Sequence, residues 1–160
     1  MMRETPDITR KNHSLDSVSW NILGQVYTPK QMSDDSFSWH ATFPEETFVP
    51  PHVHPHQDEY IYVLEGRIDL ILDGRTTSAS AGDLVRMPRG IPHAFFNNSG
   101  EPAQALFWAA PAGRLVDLYR RIHNMSSPAE VVQVAREYGV FFLPPVSSAA
   151  PAPMPARAGA

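Results

Sequence analysis

The chain has 160 residues, 42% of them hydrophobic and 19% charged, a formal net charge of −4 and no cysteine. That length fits one domain with a sizeable core. The missing cysteine removes disulfides, thiolate metal ligands and a Cys nucleophile together. An acidic balance with no basic cluster beyond Arg10-Lys11 and Arg120-Arg121 argues against a nucleic-acid partner. No apolar run reaches the ~18–20 residues that span a bilayer, and Met1 to Leu15 lacks the apolar core of a secretory signal. A cytoplasmic protein with no membrane contact is expected.

In chain order, residues 1–16 show no hydrophobic period and are expected to form a flexible arm. The folded unit is expected over 17–143. From Val18 onward short apolar stretches alternate with turn residues, the pattern of an all-β barrel or sandwich. Phe37, Trp39, Ala41 and Phe43 alternate with polar residues at a period of two. The segment His52-Val53-His54-Pro55-His56-Gln57-Asp58-Glu59 follows. His52 and His54 leave the same face of an extended strand. Glu59 lies an odd five residues beyond His54, so a break at Pro55 is needed before a new strand can aim it inward. If Glu59 faces in, so do Ile61 and Val63.

Ile68, Leu70 and Leu72 alternate up to Asp73-Gly74, a strong hairpin signal. Ala81-Gly82-Asp83 marks another turn. On the strand after it, Val85 and Met87 face inward and Arg86 outward. Pro88-Arg89-Gly90-Ile91-Pro92 leads to His93, on a strand that would also carry Phe95 inward, and Gln104–Ala109 forms the next strand. The period then changes. Leu115, Leu118 and Ile122 mark one helical face. A second helix has Ser127 as N-cap, Pro128 at its first position, Glu130 completing a capping box and Gly139 as its stop. Its stripe is Val131, Val134, Ala135 and Tyr138. These helices, over about 113–139, are expected to cover an open end of the strands. Residues 144–160, rich in Pro, Ala and Ser, are expected to be a disordered tail.

The chemistry lies in His52, His54, Glu59 and His93. Three imidazole nitrogens and one carboxylate oxygen are a ligand set for one divalent first-row transition metal, whether Fe, Mn, Ni, Co, Cu or Zn. Such a centre leaves room for exogenous ligands and favours an anionic oxygen donor. Glu59 has a second role open to it as catalytic base, taking the proton of an incoming hydroxyl. Ile61, Val63, Val85, Met87 and Phe95 would line an apolar substrate pocket with one polar focus. His56 and Gln57 are an additional ligand or a support for the ligands, although a solvated turn is the ordinary place for both. His13, His40 and His123 read as ordinary structural or surface histidines.

After Glu59, six residues lead to Gly66. The later segment reads Gly82, five residues, Pro88, one, Gly90, two, His93, three, Asn97. Together with His52 and His54 this resembles the two signature motifs of the cupin superfamily. From about Ile22 to Pro145 the chain is similar to single-domain cupins related to the bacterial quercetin 2,3-dioxygenases. The likeness rests on Leu23-Gly24, Pro50-Pro51-His52-Val53-His54, Tyr62-Val63-Leu64-Glu65-Gly66 and Ala135-Arg136-Glu137-Tyr138-Gly139. The resemblance implies an all-β fold, the double-stranded β-helix or jelly-roll barrel, with a short C-terminal helical segment. It further implies a homodimer and the proton-accepting role of Glu59.

Three functions compete. The first is a metal-dependent dioxygenase that uses O2 to cleave a flavonol-like or other enolisable aromatic small molecule. The second is an O2-independent cyclase, isomerase or lyase of polyketide type, with the metal as a Lewis acid. The third is a non-catalytic small-molecule-binding cupin, which the four intact metal ligands and the lack of a readout domain disfavour. A Ser-His-Asp hydrolase has no local support.

Overall fold

The structure, a computed structural model, describes residues 6–144; the ends of the expected arm (1–5) and nearly all of the expected tail (145–160) lie outside the described residues. The strands are β1 (Trp20–Ile22), β2 (Gln25–Met32), β3 (Phe37–Phe43), β4 (Phe48–Val53), β5 (Asp58–Glu65), β6 (Arg67–Leu72), β7 (Arg75–Ser80), β8 (Leu84–Met87), β9 (His93–Phe96), β10 (Ala103–Ala110) and β11 (Phe141–Phe142). Helices α1 (Leu115–Ile122) and α2 (Pro128–Glu137) lie between β10 and β11. Every strand pairing is antiparallel. Residues 9–15 run beside β2: the Thr9 hydroxyl donates to Lys30 O at 2.8 Å, Lys30 Nζ donates to Arg10 O and His13 O, and Leu15 is buried.

The strands form two sheets, one ordered β1-β2-β3-β10-β5-β8 and the other β11-β4-β9-β6-β7. Neither closes on itself, which corrects the expected jelly-roll barrel. β1 and β8 are free edges of the larger sheet, and β11 and β7 of the smaller. Alternation cannot separate the two architectures, because a barrel strand and a sandwich strand both bury every second residue. The free edges are short or polar: β8 has four residues and β7 reads Arg-Thr-Thr-Ser-Ala-Ser. Such edges resist pairing with other strands.

The core lies between the sheets. β3 and β10 bury alternate residues along their whole length. Phe43 and Phe107 of the larger sheet meet Phe95 of the smaller, with ring centroids 5.7 and 5.3 Å apart. Trp39 stacks on Phe37 at 4.8 Å and Phe107 at 5.4 Å. Between β6 and β7, Asp73 and Gly74 both have positive φ (48° and 76°), the two-residue turn whose twist suits a hairpin. Gly66, between β5 and β6, has φ +75°, and a Cβ there would lie 2.8 Å from Pro102 O. Only glycine fits.

The helices follow their sequence signals. The Ser127 side chain accepts from Glu130 N at 3.3 Å, Pro128 opens α2, and Gly139 at φ +84° ends it. The Tyr119 ring of α1 lies 5.0 Å from Tyr27 and 6.0 Å from Trp20, which seats α1 over one end of the larger sheet. β11 then pairs with β4, placing Phe142 opposite His52. Among the described residues no helix is long and apolar enough to cross a membrane.

Candidate metal centre

Local folding aims each donor. On β4, His52 pairs directly with His93 on β9, which brings two imidazoles together across the smaller sheet. β4 ends at Val53, so His54 sits just past it, where its carbonyl accepts from Gly90 N at 2.9 Å. Pro55 and His56 form the turn, and β5 restarts at Asp58 with Glu59 facing in, between Ala109 and Met87. The two motif segments are also joined outside the core. Asp58 accepts from Arg89 N at 2.9 Å and from the Arg89 guanidinium at 2.9 and 3.2 Å. These hydrogen bonds from Arg89 hold the Asp58 carboxyl down at about 2.

His52, His54, Glu59 and His93 are each only 2–3% exposed, and their donor atoms all lie within 4.8 Å of one another. The ring centroids of His52 and His93 are 4.4 Å apart. His54 Nε2 and His93 Nε2 lie 3.0 and 3.3 Å from the same Glu59 oxygen, Oε2. The outer nitrogens fix the tautomers. His52 Nδ1 is 2.8 Å from Pro50 O and His93 Nδ1 is 3.0 Å from Ile91 O. A carbonyl only accepts, so both Nδ1 atoms carry the proton. His54 Nδ1 is 3.2 Å from Gln57 Oε1, while Gln57 Nε2 donates to Pro111 O and Ala112 O at 3.0 and 2.6 Å. Those two carbonyls fix the amide's orientation, so His54 Nδ1 is a donor as well. Each Nε2 therefore faces the centre of the cluster, the nitrogen that would donate its lone pair to a metal there.

The electrostatics fit a cation. Burial holds His52 down at about 3, helped by His93 and His54. For Glu59 burial works upward, but His54 and His93 outweigh it and hold the carboxyl well below the usual range. Burial opposes charge on His54, and Glu59 overrides it to raise that imidazole. The cluster thus keeps one carboxylate and at least one neutral imidazole, and ligation by all three histidines requires His54 to give up its proton to the incoming metal. This buried set is suited to bind a single divalent metal ion.

The centre opens into a cavity of about 570 Å³. His52, His54, Glu59 and Phe95 line it, with Tyr27 from β2, Leu115, Leu118, Tyr119 and Ile122 from α1, Val131 and Ala135 from α2, and Phe142 from β11. Of the five residues expected to form the pocket, Phe95 alone lines this cavity. Ile61, Val63, Val85 and Met87 are buried in the hydrophobic core instead. They do face inward, but into the packed core and not onto the cavity. The cavity opens where the helices stand off the strands. The stripe Leu115, Leu118, Ile122 was readable as a buried face, though not as a cavity wall. Nothing in the sequence pattern marks Tyr27 or Tyr119. His56 is exposed and outside the donor cluster. Gln57, six per cent exposed, bonds to His54.

Residues 39–109 match the family model of the cupin domain, a span that holds all four donors. Over that span the chain is similar to the cupin superfamily. It is 35% identical over 63 residues to the polyketide synthase CurC of Streptomyces cyaneus, a match covering 39% of this chain and 41% of that protein. To the quercetin 2,3-dioxygenase of Bacillus subtilis it is 33% identical over 88 residues, covering 55% of this chain and 26% of that protein. The chain therefore spans less than half the length of either relative. Among solved structures, KdgF from Halomonas sp. aligns with a TM-score of 0.59 at 18% identity, covering 67% of this chain and 94% of that one. The polyketide cyclase RemF of Streptomyces resistomycificus aligns with a TM-score of 0.53 at 25% identity, covering 63% and 78%.

Proposed function

We propose that this chain is a metal-dependent enzyme acting on a largely apolar, hydroxyl-bearing aromatic small molecule, and that its reaction is dioxygenase cleavage of a flavonol-like or other enolisable ring. One observation carries the proposal: of four clustered buried donors, three (His52, His54 and Glu59) line a mostly apolar cavity of about 570 Å³. That volume lies inside the ~300–1,000 Å³ range of small-molecule sites. A bound divalent metal supplies Lewis acidity to a ligating hydroxyl and, for a redox-active ion, access to dioxygen chemistry. His52, His54 and His93 present neutral nitrogens to it. Glu59, held ionised, accepts the proton of the substrate hydroxyl at a carboxylate oxygen. Phe95, Phe142 and the α1 residues Leu115 and Leu118 exclude water and orient an aromatic body. Likeness to the Bacillus dioxygenase supports this reading.

A second reading, an O2-independent cyclase, is favoured by the likeness to CurC and to RemF. The test is metal content of protein purified without chelator or affinity metal, followed by oxygen uptake with quercetin and a panel of phenols. A redox-capable metal near one per chain with oxygen consumed supports the dioxygenase. Stoichiometric zinc without uptake rejects it in favour of the cyclase.

A further inference from the structure

We propose that Gln57 is a positioning residue that ties metal ligation by His54 to the seating of helix α1 over the cavity. The inference rests on the metal-centre reading above and extends it to a residue outside the ligand set. Gln57 is buried, and both ends of its amide are hydrogen-bonded. Its Oε1 accepts from His54 Nδ1 at 3.2 Å, while its Nε2 donates to Pro111 O at 3.0 Å and Ala112 O at 2.6 Å. The Ala112 carbonyl also accepts the N–H of Leu115, the first residue of α1, at 3.4 Å. One amide therefore joins a metal ligand to the entry of the helix that supplies Leu115, Leu118, Tyr119 and Ile122 to the cavity wall.

Gly113 makes the cradle. A Cβ there would lie 2.6 Å from Gln57 Nε2, and its φ of +55° is itself a conformation that side chains avoid. Because the carbonyls fix the amide's orientation, they also fix which nitrogen of His54 faces the centre. His52 and His93 are oriented differently, each by a backbone carbonyl of its own segment, Pro50 O and Ile91 O. Only the His54 support reaches across to the helical roof. Coupling of this kind is reciprocal: whatever secures His54 secures the 111–113 turn, and a ligand that holds α1 down strengthens metal binding.

The alternative is an amide that only satisfies two carbonyls, in which case its loss would lower stability and leave the metal geometry unchanged. Cobalt(II) alone is the probe. Affinity and the visible spectrum are measured for the wild-type chain, Gln57→Met and Gly113→Ala, with hydrogen–deuterium exchange of residues 115–122 with and without cobalt. Gln57→Met keeps length and bulk, so packing is largely preserved. Gly113→Ala displaces the amide while leaving residue 57 intact, and serves if the first variant does not fold. Each variant is expected to bind cobalt about 10–100-fold more weakly, the usual cost of losing such a support. The spectrum should change, and cobalt should no longer slow exchange in α1 as it does in the wild type. Affinity within about twofold of wild type with an unchanged spectrum overturns the inference, as does cobalt-dependent protection of α1 that survives in the variants. A wild-type chain that binds no cobalt takes the metal-centre reading down as well, so the two failures are distinguishable.

Discussion

His54 and His93 both bring Nε2 to within 3.0–3.3 Å of one Glu59 oxygen, a contact held by a shared proton in the metal-free chain or by a cation bound among them. His93→Ala should weaken divalent-metal binding by at least tenfold, the scale set by loss of even an outer support. His56→Ala should leave it within about twofold, as that side chain is exposed and lies outside the donor cluster. Calorimetric titration reads both, and equal losses would contradict the assignment. Much of this was legible in the sequence. The two-residue step from His52 to His54 and the break at Pro55 put the right three residues of that segment in the cluster. Gln57 was legible only as one of two candidates for an extra ligand or a support, with a solvated turn as the ordinary reading, because its partners at Pro111 and Ala112 lie more than fifty residues away. A polar residue beside a turn reads as solvated until the fold buries it.

Elements place the donors because strand ends and turns fall where glycine and proline require. At Gly66 a side chain would meet Pro102 O at 2.8 Å in a left-handed backbone, so both space and conformation oppose it. Gly66→Ala should destabilise by more than about 1 kcal/mol, measured by denaturant unfolding, since alanine at positive φ and an overpacked contact each carry a cost of that order. Gly74→Ala is the contrast: it shares the positive φ but nothing lies within 4 Å of its Cβ position, so its loss should be smaller. The strands β3 and β10 were readable from strict alternation, and α2 from its cap and stop. The closure of the sheets was not, since β8 and β1 carry the same in-and-out pattern whether or not their outer edges find a partner. The role of α1 as cavity wall was hidden for a related reason. A helical stripe records that a face is covered, and leaves open how closely.

At the scale of the whole molecule, the buried cluster links stability to pH. His52 titrates near 3 in the folded metal-free chain against about 6.5 unfolded. Between those values the unfolded chain binds the extra proton, so stability falls as pH drops below about 6.5, by at most about 1.4 kcal/mol per pH unit for this one group. His54 has the opposite sign. Its raised folded pKa gives stability that is complete below the unfolded value and lost as pH rises through the folded one. Glu59, with a lowered folded pKa, adds stability above about 4.3 that is lost in acid. The metal-free chain should therefore be most stable near pH 6–7 on these three groups, as thermal unfolding across pH would show. Metal removes the alkaline loss, because a ligating His54 is neutral. Metal at 100 times its Kd should also add about 2.7 kcal/mol.

Whether His52, His54, Glu59 and His93 together hold one metal ion is read by elemental analysis after cobalt(II) or zinc loading and desalting. About one equivalent per chain is expected, retained at about pH 7.5 and released as the pH falls below about 6.5, where free imidazoles protonate. His93→Ala should retain none after desalting. A wild-type chain that retains no metal, or a His93→Ala variant that retains a full equivalent, would contradict it.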